Sequence, residues 1–223
     1  MNSISRLAEI FAHFPGIGPR QAKRFVYFLL SKDPGYTNEF VKLINRVKEG
    51  VRTCDSCFRF FNTEGYAGGL TPAQGNGHST CDICRDLNRD RSLLVVVSRD
   101  ADLENIEKTH SHRGLYFVLG GVVPILEKNP EEKIRIRELE KVVASRVAKI
   151  DNGGASEKLK EIILAMSSNT DGEHTSDYLK NLLSPLADKH GFKISVLGRG
   201  LSTGTELEYS DADTLKNALN NRQ

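Results

Sequence analysis

The sequence lacks long apolar runs, and this absence excludes one class of protein. The 223-residue chain contains no stretch of about 18 apolar residues, the length that a transmembrane helix needs. Its first residues, MNSISRLAEIFAHF, also lack the charged start, long apolar run and small-residue cleavage site of a signal peptide. With 39% hydrophobic residues, the chain still has enough apolar content for a core. We therefore expect a cytoplasmic protein with no membrane partner.

Cysteine is scarce, and its positions are informative. The four cysteines are spaced as Cys54-x2-Cys57 and Cys81-x2-Cys84, with 23 residues between the pairs. Two such pairs suit one structural Zn²⁺ per chain, held by four thiolates with no open position. A redox pair or two disulfides are the alternatives, and His78 is a further candidate ligand, but a cytosolic chain favours zinc on four cysteines. Because the segment between the pairs has little apolar content, we expect its folding to depend on the metal.

Two common enzyme signatures are also missing. The stretch GRGLSTG, from Gly198 to Gly204, lacks the lysine of a nucleotide-binding P-loop. Serine, histidine and aspartate are present, but no nucleophile-elbow spacing brings them together.

Positive charge is concentrated near the N-terminus. Residues 1–52 contain nine Lys or Arg and four Asp or Glu, a net charge of +5, whereas the whole chain carries only +2. A basic end on a balanced body predicts a local anionic partner, with nucleic acid as the first candidate. A solvated helical face is the alternative explanation.

The stretch FPGIGPRQAKRF, residues 14–25, joins two segments with helical spacing of apolar residues. Gly16 and Gly18 permit positive φ and close approach to the backbone, and Pro19 fits the first position of a helix. We expect free N–H groups from Gly16 to Gly18 at a helix N-terminus, which attracts phosphate. Three cations follow at once, namely Arg20, Lys23 and Arg24. This helix-hairpin-helix pattern predicts contact with a DNA backbone, and an ordinary corner between two helices is the alternative.

The remaining periodicity predicts a third N-terminal helix and then alternating strands and helices. The third helix spans residues 38–48, with Thr37 as N-cap and Gly50 as stop. Four strands are expected, at SLLVVVS, GLYFVLGG, EIILAM and FKISVL. One long helix is expected from Pro130 to Ile150. Another helix contains Pro185, which is expected to kink or split it. Such alternation predicts a mainly parallel sheet.

LEY, residues 207–209, is expected to be a short strand before a closing helix that reaches Leu219.

Two strings point to a known family. HRGLYFVLGG (residues 112–121) and RGLSTGTELEYSDADTL (residues 199–215), together with the hairpin and the four cysteines, resemble the RecR family of bacterial recombination mediators over essentially the whole chain. The resemblance implies a Toprim domain, a Walker-B-like C-terminal assembly segment and a ring-shaped clamp built from a dimer to a tetramer. It also implies single- and double-stranded DNA, RecO and possibly RecF as partners, and recombinase loading at single-strand gaps near the nucleoid.

Toprim enzymes hold Mg²⁺ with a glutamate after the first strand and an acidic pair after a later strand. The first position is Ser98 here, whereas Asp171 and Glu173 remain. These two acids suit a helix N-terminus or a partner contact, and a weak Mg²⁺ site stays open. His174 beside them is expected to be a solvated or capping residue. We therefore expect no enzymatic activity, with an Mg²⁺-dependent nuclease or a primase- or topoisomerase-like enzyme as the alternative.

The predicted architecture is a multidomain α+β chain with four parts. These are a helix-hairpin-helix domain (1–52), a four-cysteine zinc finger with a long insert (53–91), a Toprim domain (92–198) and a C-terminal assembly segment (199–223).

Overall fold

The computed structural model describes residues 2–63, 79–151, 158–198, 200–201, 204 and 206–220, and side chains are not described for 148–151, 213 and 220. The chain folds as two compact units, the first built mainly from residues up to Val51 and the second mainly from those after it. Within the described ranges, no helix is both long and apolar enough to span a bilayer. His78, most of the predicted insert and Arg199 lie outside the described residues.

The first unit begins with two helices, Ser3–Ala12 (α1) and Pro19–Leu30 (α2), which pack against each other. Their shared core consists of Ala8 and Phe11 from α1 and Ala22 and Val26 from α2, with Ile17 of the turn packed against it. The apolar residues at helical spacing in α1 are therefore not all in the core. Ile4, Ile10 and Phe14 are 40%, 48% and 50% exposed.

The third helix, Pro34–Gly50 (α3), begins earlier than the sequence predicts. Asp33 is its N-cap, and the Asp33 carboxylate accepts the Tyr36 N–H at 3.1 Å. The prediction of Thr37 as N-cap was wrong because Asp33 followed by Pro34 is a stronger helix start. No residue of α3 is buried, although its sequence carries an apolar stripe.

The second unit opens with the cysteine segment. Two short strands, Val51–Thr53 (β1) and Phe60–Asn62 (β2), form a two-stranded sheet. A four-residue helix, Asp82–Arg85 (α4), contains the last cysteine.

A parallel sheet forms the body of the second unit. Its described elements are, in chain order, Asp90–Val97 (β3), Asp100–Lys108 (α5), Gly114–Val118 (β4), Ile136–Asp151 (α6), Glu161–Ala165 (β5), Thr170–His190 (α7) and Lys193–Val196 (β6). The strand order is β4-β3-β5-β6, and each pairing is parallel. The predicted α+β class and parallel sheet are confirmed.

Two local predictions were wrong. The long helix from Pro130 is a 3₁₀ turn at Pro130–Glu132 followed by α6, because the Arg135 N–H donates instead to the Leu119 carbonyl beyond β4. Leu207–Tyr209 is a 3₁₀ turn rather than a strand, although the closing helix Ala212–Asn220 (α8) is present. Of the two outcomes expected at Pro185, a split is absent: α7 continues through Pro185 to His190, and Gly191 caps it in the left-handed conformation.

A half-buried ion pair joins β4, α5 and the start of β3. Arg89 donates hydrogen bonds to both carboxylate oxygens of Glu107, and the Tyr116 hydroxyl donates to the same carboxylate at 2.9 Å. The Arg89 hydrogen bonds hold the pKa of Glu107 below its usual range, although burial opposes this shift. A charged Glu107 is therefore favoured in the folded state.

The Glu107 carboxylate should make folding stability depend on acid pH. Because its folded pKa lies below its unfolded value of about 4.3, its contribution is fully present above that value and is lost as pH falls through the folded pKa. We expect Glu107→Gln to lower the free energy of unfolding at pH 7 by on the order of 2 kcal/mol. In this variant, the free energy of unfolding should also fall less steeply between pH 5 and pH 3. Urea denaturation at a series of pH values measures this. Glu104→Gln, which removes an exposed acid from the same helix, is the control, and parallel pH curves for Glu107→Gln and the wild type would contradict this role.

Candidate metal centre and nucleic-acid surface

The four predicted metal ligands converge in the second unit. The Sγ atoms of Cys54, Cys57, Cys81 and Cys84 all lie within 4.8 Å of one another. Within the described residues, this is the one group of at least three His, Cys, Asp or Glu side chains arranged closely enough to hold a metal ion. The first three cysteines are buried and Cys84 is half-buried.

The sulfur spacing fits a tetrahedral metal and excludes disulfides. Cys57 Sγ and Cys81 Sγ are 3.6 Å apart, and all four cysteines are free thiols. A disulfide needs an S–S distance of about 2.05 Å. Four thiolates at Zn–S distances of about 2.3 Å place the sulfurs about 3.8 Å apart. The residues present therefore fit a structural metal with four thiolate ligands, and Zn²⁺ is the ion that such a set prefers.

Backbone hydrogen bonds build each cysteine pair into a tight turn. In the first turn, the Phe58 N–H donates to the Cys54 carbonyl at 2.9 Å. Across the two turns, the Cys81 N–H donates to Cys54 Sγ at 3.3 Å. Asp55 and Ser79 add two further bonds, one between backbone groups at 2.8 Å and one from the Ser79 N–H to the Asp55 carboxylate at 2.6 Å. The ligand geometry is thus held partly by the chain itself.

The electrostatics of the cluster call for a cation. Hydrogen bonds with the other three cysteines lower the pKa of the Cys54 thiol, whereas hydrogen bonds with the three neighbours of Cys57, followed by burial, raise the pKa of the Cys57 thiol. Four thiols this close together do not all ionise unless a positive ion balances their charge. Burial lowers the pKa of Arg146 on α6, while the Cys84 and Cys57 charges act in the opposite direction. Arg146 thus places a positive charge within the electrostatic reach of the sulfurs.

The predicted DNA-contact turn has a specific geometry. Gly16 has φ +75°, which glycine adopts without strain. Gly18 has φ −82° and is the N-cap of α2, and a Cβ atom there would meet no protein atom within 4 Å. The expectation of free N–H groups from Gly16 to Gly18 was partly wrong, because the Ile17 N–H donates to the Phe14 carbonyl at 3.0 Å. The open space at Gly18 therefore leaves the N-terminus of α2 accessible to a ligand.

The three predicted cations lie on the first turns of α2. Arg20, Lys23 and Arg24 are all exposed, and Arg24 donates a hydrogen bond to the Gln21 amide oxygen at 3.3 Å. Arg20 and Arg24 share a face because they are four residues apart on the helix. The turn thus combines an accessible helix N-terminus with positive side chains, which is suited to a phosphate.

The acidic pair lies at the carboxyl end of the sheet. Asp171 and Glu173 lie in the first turn of α7, which follows β5, and Asn169 caps this helix through the Gly172 N–H at 2.8 Å. Only glycine fits at position 172, because a Cβ atom there would clash with the Ser167 carbonyl oxygen at 2.1 Å. The acids thus stabilise the helix dipole, while Asn169 provides the cap.

Ser98, which follows β3, and His174, which follows Glu173, each contact another residue of the chain. Ser98 is 3% exposed, and its hydroxyl donates to Met166 Sδ at 3.3 Å. His174 is half-buried, and its Nδ1 lies 3.2 Å from the Val123 carbonyl oxygen. Neither residue supplies the third carboxylate of a Toprim metal site.

A surface groove of about 540 Å³ lies beside α4 and α5. Its walls contain the Arg89–Glu107 pair and a second pair, Arg59 with Asp82, at 3.4 Å. Because these opposite charges are paired within the protein, the groove is less suited to an anionic ligand than the α2 turn.

These features define a class of protein, a Toprim-domain protein with a four-cysteine metal centre. A family model for the Toprim domain matches residues 92–198, and a model described as RecR, C-terminal, matches residues 200–223. The chain belongs to the RecR family, because relatives similar over nearly its whole length share more than 30% of their residues with it.

Three such relatives are each called recombination protein RecR. The protein from Bifidobacterium adolescentis is 35% identical over 99% of this chain and 96% of its own length. The protein from Bifidobacterium animalis subsp. lactis is 36% identical over the same shares. The protein from Chloroflexus aggregans is 36% identical over 99% of this chain and 93% of its own length.

Two site residues escaped the sequence prediction. Phe58, directly after Cys57, has φ +62°, and Arg135 donates hydrogen bonds to the Phe58 carbonyl at 3.1 Å and the Val118 carbonyl at 3.0 Å. The available signal was the position after the second cysteine of a tight turn, where positive φ is commonly needed. No sequence pattern pointed to Arg135, since it lies 77 residues from Phe58.

The metal centre should contain zinc. Metal analysis of the purified protein is expected to find about one Zn per chain. Cys57→Ser should release the metal and lower stability, because it removes a buried thiolate ligand. Ser56→Ala, in the same turn, is the control, since it leaves the four ligands intact. Folded wild-type protein without metal, or disulfides in the purified protein, would contradict a zinc site.

Proposed function

We propose that this RecR-family protein is a DNA-binding clamp that acts in recombinational DNA repair in the cytoplasm. The observation that carries the proposal is the α2 turn, where the open N-terminus at Gly18 is followed by exposed Arg20, Lys23 and Arg24. Relatives that cover 99% of the chain are named recombination proteins, which supports the same function.

The turn would bind the DNA backbone rather than the bases. A phosphate at Gly18 would accept hydrogen bonds from backbone N–H groups of the α2 N-terminus, and Gly18 leaves room for it. Arg20, Lys23 and Arg24 would neutralise neighbouring phosphates, which contributes affinity but little sequence preference. Both single- and double-stranded DNA offer such phosphates, so both are expected ligands.

Assembly of several subunits would strengthen this contact. Exposed apolar residues lie on α3, and others lie in the C-terminal part, where Leu207, Tyr209 and Leu219 are 63%, 76% and 64% exposed. We propose that subunits join through both regions into a ring of up to four chains, lined by the α2 cations. A weak contact repeated around a ring binds DNA strongly through effective concentration.

The family resemblance supplies the remaining parts of the proposal. The clamp would act with RecO, and possibly RecF, to load recombinase onto single-strand gaps near the nucleoid. Asp171 and Glu173 would contact a partner. The four predicted parts, with borders at 52/53, 91/92 and 198/199, would serve as the DNA-contact, zinc, Toprim and assembly regions.

The acidic pair favours a clamp over an enzyme. The first Toprim acid position holds Ser98, whose hydroxyl is directed to Met166 Sδ at 3.3 Å. An Mg²⁺-dependent nuclease remains the second candidate function because Asp171 and Glu173 are both retained at the carboxyl end of the sheet. Two carboxylates without the third form a weaker and less complete Mg²⁺ site.

DNA affinity should depend on the α2 cations. Arg20→Ala, Lys23→Ala and Arg24→Ala are each expected to weaken binding to a fluorescent duplex, largely regardless of its sequence. Each change should also lower the slope of log K against log salt by about 0.9 for each lost phosphate contact. Arg6→Ala, which removes an exposed cation from α1, is the matched control.

Two results would decide between the candidate functions. Unchanged affinity in all three α2 variants would overturn the role assigned to this turn. Mg²⁺-dependent cleavage of DNA that is lost in Asp171→Asn and Glu173→Gln would establish the nuclease instead.

The apolar stripe of α3 should mediate self-association. Phe40, Leu43, Ile44 and Val47 are 38%, 48%, 47% and 59% exposed and share one helix face. Leu43→Glu is expected to reduce the molar mass measured by light scattering, with and without gapped DNA. The variant should keep its circular dichroism spectrum, because no α3 residue is buried within the chain.

Asn45→Glu is the matched control for Leu43→Glu. It adds the same charge to the opposite side of α3 and should leave the mass unchanged. An unchanged mass in Leu43→Glu would remove α3 from the assembly interface.

A further inference from the structure

The first cysteine turn pairs with the end of an edge strand of the parallel sheet. β4 is an outer strand in the order β4-β3-β5-β6, and β3 pairs with only one of its sides. On the other side, the Val118 N–H donates to the Cys57 carbonyl at 2.8 Å. An open strand edge presents unpaired N–H and C=O groups that can pair with other chains. The metal-ligating turn therefore occupies a position where an unprotected edge would otherwise lie.

The residue next to Cys57 adopts an unfavourable backbone conformation. Phe58 has φ +62°, a region that bulky residues rarely enter. Its ring packs against Phe117 of β4, with ring centroids 5.3 Å apart. A conformation of this kind persists where surrounding contacts over-determine it. Contacts from outside the turn, of which the Phe117 ring is one, therefore help to hold Phe58 in place.

Arg135 provides another such contact. Its Nη1 donates to the Phe58 carbonyl at 3.1 Å and to the Val118 carbonyl at 3.0 Å, so one group joins the cysteine turn to β4. The guanidinium also lies over the Phe58 ring, 5.7 Å from its centroid. Its own backbone N–H is fixed to the Leu119 carbonyl at 2.9 Å. The Arg135 side chain is thus oriented at both ends.

Gly120 leaves space for the Arg135 side chain. Gly120 has φ +88°, and a Cβ atom there would lie 3.3 Å from Arg135 Cζ. A side chain at position 120 would therefore crowd the Arg135 guanidinium, and glycine lets the loop after β4 approach it. Two loops and a strand edge converge on this one arginine.

We propose that Arg135 is a positioning residue of the metal centre. By holding the carbonyls of Phe58 and Val118 together, it fixes the turn that presents Cys57, so that metal retention and protection of the β4 edge are coupled. Residues outside the ligand set that orient metal ligands typically change metal affinity by about 10- to 100-fold when they are replaced. The inference rests on the proposed zinc site, whose presence is tested separately by the zinc content of the wild type.

The experiment measures zinc release from Arg135→Gln. Zinc-loaded protein is mixed with excess EDTA, and the metal remaining after a series of times is measured with a chromogenic chelator. The variant is expected to lose zinc at least about tenfold faster than the wild type. Arg137→Gln is the matched control, because it removes the same charge two residues away, where the exposed Arg137 pairs with Glu131 at 2.7 Å. The control should release zinc at the wild-type rate.

Hydrogen exchange distinguishes positioning from general destabilisation. In zinc-loaded Arg135→Gln, the Val118 amide should exchange faster, whereas the Leu164 amide in β5 should keep wild-type protection. Removal of zinc from the wild type should likewise expose Val118 before Leu164. Arg135→Lys keeps the charge but lacks a planar fork, so it should restore part of the zinc retention.

Three results would overturn the proposal. The first is zinc release from Arg135→Gln at the wild-type rate. The second is an equal increase in exchange at Val118 and Leu164, which would indicate loss of global stability. The third is equal protection of Val118 in zinc-loaded and zinc-free wild type. Absence of zinc from the wild type would instead refute the metal centre itself, so the two failures are distinguishable.

Discussion

Parallel pairing on both sides of β3 is the constraint on which the second unit depends. β3 pairs with β4 through residues up to Val97↔Val118 and with β5 through residues up to Val97↔Ala165. Because the three strands are parallel and in register, their carboxyl ends meet at one edge of the sheet. Ser98, the loop after β4 and the start of α7 are brought together there. The outer side of β4 is then left for the first cysteine turn, which pairs with it through Cys57.

The metal centre and the sheet therefore support each other. The cysteine segment has little apolar content of its own, but Phe58 gains a packing partner in Phe117. In return, Cys57 and Arg135 satisfy backbone groups at the end of β4. A metal held by this turn would therefore contribute to the stability of the larger domain. It also explains how a bulky residue persists at positive φ beside a metal ligand.

The carboxyl end of the sheet presents two acids, Asp171 and Glu173, and a buried serine, Ser98. Gly172 between the acids is demanded by close packing, since a Cβ atom would lie 2.1 Å from the Ser167 carbonyl oxygen. The backbone that presents Asp171 and Glu173 is therefore tightly constrained. Ser98 is buried, and its hydroxyl donates to Met166 Sδ at 3.3 Å.

Local chemistry by itself determined much of this protein. Cysteine spacing predicted the metal ligands because two residues between thiols suffice to form a tight turn, and apolar β-branched runs predicted the parallel strands because both faces of such strands are buried. The glycines and Pro19 predicted the α2 turn, since φ preferences are local properties. Only the tertiary structure decided where some helices begin. The Arg135 N–H donates to the Leu119 carbonyl, so α6 does not extend back to Pro130. Only the tertiary structure also paired Arg89 with Glu107 and Phe58 with Arg135. Contacts between residues far apart in sequence leave no periodic pattern. They form only when the sheet brings their strands and loops together.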